Sequence, residues 1–142
     1  MTIWGNHSNT MVPDLSNVEV NGAKIVDSVD AEWVKTSFVP TVQTRGAAVL
    51  AARQKSSAMS AANATANHMN TWLNGTPEGD WVSMGIVSEG WYGIAKDIVY
   101  SFPVTVKDGK VTVVEGLPVS DELRAALKKT EDELLGEKAM VL

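Results

Sequence analysis

Proton transfer is the chemistry this chain offers most clearly, through His7 in the run Ile3-Trp4-Gly5-Asn6-His7-Ser8. Histidine is the one side chain whose unperturbed pKa, ~6.5, lets it take or give a proton near neutral pH. An apolar pair gives way to glycine, asparagine and histidine, which reads as a strand that stops and delivers a side chain into a cleft. Such a junction, beside glycine, is how rigid scaffolds present a catalytic base. Its position is unusual, because a working site is normally assembled from residues on both sides and only six precede it. A lone histidine is more often structural than catalytic, so the residues alone leave both roles open.

Other chemistry-bearing groups read more plainly as structure. His68 lies in an Ala/Asn-rich helical stretch beside Asn67 and Asn70, with no histidine or acid at i+4, so it reads as a solvated or capping residue and no metal site is expected. Glu78 and Asp80 could form a carboxylate pair, but Pro77-Glu78-Gly79-Asp80 is turn chemistry. Gly85, Gly90 and Gly93 have the wrong spacing for a nucleotide-binding fingerprint, and no P-loop exists. Trp33, Trp72, Trp81 and Trp91 are most simply core or interface residues.

The elements that must hold His7 form one domain. At 142 residues, 44% hydrophobic and 20% charged, the chain can bury roughly two-thirds of its unfolded surface. A net charge of -5 without any basic run argues against nucleic acid. The absence of cysteine is compatible with a reducing cytosol. No signal-peptide pattern or membrane-length apolar run occurs, so a soluble, cytoplasmic protein with no membrane partner is expected.

Ser8 to Ser16 reads as loop. Residues 17–26 read as a hairpin about Asn21-Gly22, a dipeptide that tolerates the positive φ values of a type I′ turn. Asp30 reads as the cap of a short helix over Ala31–Lys35, in which Glu32 occupies the first turn. A helix from Phe38 to Gln54 follows, with Pro40 in its first turn, and a second from about Ala58 to Leu73. Both are rich in alanine, so they are expected either to pack tightly on each other or a partner subunit, or simply to have high helix propensity. Asn74-Gly75-Thr76-Pro77 reads as a stop with a left-handed glycine cap. Residues 81–87, 98–106 and 111–114 read as strands, and Ser120 as the cap of a last helix with Leu123, Ala126, Leu127, Thr130 and Leu134 on one face. The fold class is α/β in an α+β style, antiparallel hairpins packed with long helices.

A family resemblance runs through the same residues. Ile3-Trp4-Gly5-Asn6-His7-Ser8 resembles the catalytic-histidine segment of the malate dehydrogenases, in the cytosolic-type branch of the lactate/malate dehydrogenase family. The likeness continues through Val42-Gln43-Thr44-Arg45-Gly46-Ala47-Ala48-Val49, Ser56-Ser57-Ala58-Met59-Ser60-Ala61-Ala62, Gly75-Thr76-Pro77-Glu78-Gly79, Val82-Ser83-Met84-Gly85, Tyr100-Ser101-Phe102-Pro103 and Glu115-Gly116-Leu117-Pro118. These blocks keep the family's order along essentially the whole chain.

The resemblance implies that residues 1–142 are the C-terminal catalytic and substrate domain, without the N-terminal Rossmann domain that binds NAD. It implies that His7 accepts the hydroxyl proton when malate is oxidised to oxaloacetate and returns it in reverse. Ser57 matches a substrate-pocket position, and Gly46 would permit close packing near that pocket. A homodimer is implied as well. The aspartate that orients the histidine, the arginines that clamp the dicarboxylate and the dinucleotide loop all lie upstream in the family. Arg45 and Arg53 match helix positions instead. The chain alone is therefore expected to be inactive and to need a Rossmann half. Two alternatives stand beside this reading: a non-catalytic dimerising module, and a dehydrogenase of another 2-hydroxy acid.

Overall fold

Trp4, Tyr100 and Phe102 are fully buried and mark where the two ends of the sequence meet. The computed structural model describes residues 1–141. Their second half folds as β5 (Val82–Val87), β6 (Val99–Lys107) and β7 (Lys110–Val113), an antiparallel sheet in that spatial order. The alternate residues Tyr100, Phe102, Val104 and Val106 of the central strand are buried, as a period of two requires. Asp108 (φ 50°) and Gly109 (φ 75°) supply the two positive φ values of the tight turn into β7.

The last helix, α5 (Asp121–Val141), packs into the same core, burying Leu127. Ser120 Oγ caps it by accepting the Leu123 N–H at 3.1 Å. Leu123, Ala126 and Leu134 pack at the margin of the core, and Thr130 is fully buried, as the apolar stripe predicts. Glu131, also buried, accepts the Ala95 N–H at 2.6 Å and the Lys128 ammonium at 2.8 Å, tying the β5–β6 loop to the helix.

At the other end of the sequence, β1 (Thr2–Trp4) pairs antiparallel with β2 (Val12–Asp14) and lies along β6. Ser101 Oγ donates to the Ile3 carbonyl at 2.6 Å, and the Trp4 indole donates to Asp14 at 3.1 Å. The Trp4 ring stands edge-on to Tyr92 at 4.8 Å, so the strand ahead of His7 is fixed on two sides.

The hairpin about Asn21 (φ 52°) and Gly22 (φ 78°) forms as expected, but β3 (Glu19–Val20) and β4 (Ala23–Lys24) are only two residues each. Ile25–Asp27 leave the strand as a 3₁₀ turn. Asp30 Oδ1 accepts the Glu32 N–H at 2.9 Å, as a cap should. From there the helix differs from the expected pair of separate segments. α1 (Ala31–Trp33) runs through a π turn at Val34–Phe38 into α2 (Val39–Gln43), and after Thr44 the chain continues as α3 (Arg45–Arg53). Pro40 explains the widened turn, because it has no N–H for the carbonyl four residues back and its ring needs room there. Thr44 breaks the run by donating its hydroxyl to the Pro40 carbonyl at 2.7 Å.

Two further expectations are corrected. Gly75 does end α4 (Met59–Asn74) with the positive φ of 89° that favours glycine, but its ψ of 169° lies outside the left-handed helical well expected of a cap. It must turn the chain so that the Thr76 N–H reaches the Val106 carbonyl at 2.9 Å, and a Cβ there would meet that same oxygen at 2.9 Å. The alanine-rich helices do not pack on each other: neither α3 nor α4 buries a single residue. Within this chain Leu50, Met59, Met69, Trp72 and Leu73 of these helices remain exposed.

Candidate active site

His7 sits in the bend that follows β1, and the backbone ahead of it is held by Gly5. The Gly5 N–H donates to the Ser101 carbonyl at 3.2 Å and its carbonyl accepts the Ser101 N–H at 3.0 Å. Its φ of 94° is closed to most side chains, and a Cβ would fall 2.3 Å from Thr130 Cγ2. β6 and α5 together therefore admit only glycine at this point.

The next residues are bonded to α5. The Asn6 N–H donates to Thr130 Oγ1 at 2.9 Å, and Asn6 Nδ2 donates to Glu133 and Glu137, each at 3.0 Å. The Ser8 hydroxyl donates to Glu133, and the Thr10 hydroxyl donates to the same oxygen at 2.6 Å. His7 itself is exposed. His7 lines neither the cavity of about 320 Å³ beside Trp81 nor that of about 630 Å³ between β2 and α5. What the fold supplies is a rigid seat and an imidazole that projects from it.

Those donors hold the Glu133 carboxyl below the usual carboxylate range, Ser8 most and then Thr10; partial burial opposes them, and Asn6 and nearby Lys129 add to them. A carboxyl with a depressed folded pKa stabilises the fold above its unfolded value and loses that contribution as pH falls through the folded one. The bend at residues 6–10 should thus stay ordered down to ~pH 4, the range of an ordinary glutamate, and loosen only below it. Protection factors for the Asn6 and Thr10 amides check this. Loosening that begins well above ~pH 5 contradicts it.

Ser57 lies between α3 and α4, half-buried, with its carbonyl accepting from Arg53 Nη1 at 2.9 Å. The following residue, Ala58, is strained at φ 47° and ψ −79°. Ser57 and His7 stand on different elements and share no hydrogen bond. His68 is exposed and edge-on to Trp72 at 6.2 Å. Glu78 and Asp80 are exposed in a turn closed by the Asp80 N–H on the Pro77 carbonyl. Among the described residues no cluster of three or more His, Asp or Glu side chains could hold a metal.

A dinucleotide does not fit the residues present. Among the described residues the one long helix with a side-chain-capped start, α5, opens with Asp121 and Glu122, which repel phosphate. Sequence reasoning missed Glu133 as part of the seat and treated Thr130 only as a member of the packing face. The one signal for them was the polar alternation Asn6, Ser8, Thr10.

Three kinds of comparison bear on the family. The lactate/malate dehydrogenase, alpha/beta C-terminal domain matches residues 1–142. The malate dehydrogenase of Cutibacterium acnes is 50% identical over 141 residues, covering 99% of this chain and 43% of that protein. The crystal structure of malate dehydrogenase from Naegleria fowleri superposes with a TM-score of 0.89 at 43% identity, over 99% of this chain and 43% of that one. The lactate dehydrogenase of Trichomonas vaginalis in complex with NADH and oxamate superposes with a TM-score of 0.91 at 41% identity, over 97% and 44%. The chain spans less than half the length of the relatives it matches. No helix among the described residues is long and apolar enough to cross a membrane.

Proposed function

The chain belongs to the lactate/malate dehydrogenase family as its C-terminal α/β domain, and from that premise we propose that it supplies the proton-transfer half of an NAD-dependent malate dehydrogenase. His7 accepts the hydroxyl proton as malate becomes oxaloacetate, and donates it in the reverse direction. The observation that carries this is an exposed imidazole on a bend whose neighbours are all bonded to α5. A general base must reach its proton from a fixed position, and a free imidazole on a rigid seat meets that requirement.

NAD belongs to the N-terminal Rossmann half, which brings the hydride chemistry. That half would also bring the aspartate that orients His7 and the arginines that clamp a dicarboxylate bidentately. Ser57 lines the substrate pocket from this side. The uncovered faces of α3 and α4, with Leu50, Met69 and Trp72 exposed, suit a Rossmann half and a second subunit in a cytoplasmic homodimer. Lactate is the second candidate substrate, favoured by the 41% identity to the Trichomonas vaginalis lactate dehydrogenase. The 50% identity to a malate dehydrogenase favours malate.

The test joins this chain in frame to the N-terminal half of the Cutibacterium acnes malate dehydrogenase and follows NADH oxidation with oxaloacetate and with pyruvate. Turnover of oxaloacetate is expected, and a folded joined protein without any turnover overturns the proposal. In that protein Ser57→Ala should raise the KM for oxaloacetate about three- to tenfold and leave kcat nearly unchanged, the pattern of a lost binding contact. An unaltered KM removes Ser57 from the pocket.

A further inference from the structure

The segment carrying His7 is stitched to α5 at every second residue. Asn6, Ser8 and Thr10 are partly buried against the helix, while His7 and Asn9 between them are exposed. The stitches converge on one oxygen. Ser8 Oγ, Thr10 Oγ1 and Asn6 Nδ2 all donate to Glu133 Oε2. A single carboxylate thus holds both the residue before His7 and the residue after it.

Proton bookkeeping gives the network a direction. Each hydroxyl carries one proton, and Ser8 and Thr10 direct theirs to the carboxylate. The Thr10 hydroxyl also points at Thr130 Oγ1, 2.8 Å away, so its one proton is shared between that oxygen and the carboxylate. Thr130 Oγ1 accepts the Asn6 N–H as well, at 2.9 Å. Bonds of this kind to a carboxylate are charge-assisted and stronger than neutral ones.

The β1–β2 pair is already closed by its own ladder, by Trp4 and by the Gly5–Ser101 exchange. What Glu133 adds is order in the bend itself. We propose that Glu133 is a positioning residue for His7: its carboxylate, accepting from both neighbours of the histidine, fixes the direction in which the exposed imidazole projects. Glu133 touches neither substrate nor cofactor and acts only through the bend. The inference rests on the role given to His7 above.

Two measurements test it, one of which does not depend on that role. Glu133→Gln keeps the side chain's size but leaves one acceptor oxygen and turns an NH₂ toward the remaining donors. Ser8→Ala removes a single stitch and serves as the milder variant. In the 142-residue chain the backbone heteronuclear NOE at His7 should match that of α5 and should fall in Glu133→Gln, less so in Ser8→Ala. Only two histidines exist, so His68→Gln leaves the His7 ring signals alone in the spectrum to report the same loss.

In the joined protein described above, kcat should fall about ten- to hundredfold in Glu133→Gln while KM stays within about twofold, since misplacing a catalytic group costs rate rather than affinity. An NOE at His7 that Glu133→Gln leaves unchanged overturns the proposal. So does a loosened bend with undiminished kcat. Full turnover by His7→Asn would overturn the reading of His7 and this inference with it, and that failure is recognisable because the NOE would still respond to Glu133→Gln.

Discussion

Replacing His7 by asparagine should lower kcat for oxaloacetate by about 10³-fold in the chain joined to a Rossmann half, within the range general acid–base catalysis contributes. Asparagine keeps a polar side chain of similar reach but cannot gain or lose a proton near neutral pH. KM should change little, because the proposal assigns the holding of the dianionic substrate to arginines of the other half. Stability should stay within about 0.5 kcal/mol, since His7 is exposed and away from the core. Loss of rate without loss of fold is the signature of a proton-transferring residue. Steady-state kinetics together with a thermal melt read both quantities, and a variant retaining full kcat denies His7 the role.

Gly5→Ala should produce the opposite pattern, a loss of fold that takes the site with it. The added methyl would stand 2.3 Å from Thr130 Cγ2 and 2.5 Å from Thr130 Oγ1, on a helix residue with no exposure. Overpacking of that kind costs roughly 1–3 kcal/mol, and a non-glycine residue at φ 94° adds about 1–3 kcal/mol more. A total of roughly 2–6 kcal/mol is a large share of a domain's stability and corresponds to a fall in Tm on the order of 10 °C. Moving Thr130 also breaks the acceptor of the Asn6 N–H, so whatever folded protein remains should carry a loosened His7 bend. Thr130→Ala in the same background supplies the control. Removing Cγ2 and Oγ1 takes away the two closest contacts and leaves the Cβ of residue 130 at 2.9 Å, so part of the lost Tm should return. No recovery, or a Tm unmoved by Gly5→Ala alone, contradicts this packing.

Local chemistry made much of the fold legible in advance. Asn21-Gly22, Asp30 and Ser120 act within a few residues of themselves, and the structure places the turn and both caps where those residues stand. The α5 stripe from Leu123 to Leu134 was legible because burial repeats with the helical period. The π turn at Val34–Phe38 was not, because a widened turn shifts the period only slightly and Pro40 reads equally well as a first-turn residue. Gly75 showed that a stop signal does not fix ψ; its partner, Val106, belongs to a strand some thirty residues on. The alanine pattern of α3 and α4 signals propensity and close packing alike, so it could not say which applied.

The same limit governs the site. His7 stands out in the sequence through its own neighbours and the family pattern around it, and the structure places it exposed on the bend after β1. Glu133 and Thr130 do not stand out, because they meet Asn6 and Ser8 across more than a hundred residues of chain. No local spacing rule links a bend at one terminus to a helix at the other. The structure turns a lone histidine into one held by a seat, with its neighbours Asn6 and Ser8 bonded to α5.

The proposed need for a Rossmann half is tested most directly by NADH oxidation with oxaloacetate. The purified 142-residue chain should show no turnover alone, and turnover should appear when an N-terminal Rossmann half is supplied, as a separate chain or in frame. Robust turnover by the chain without any added half would contradict the account.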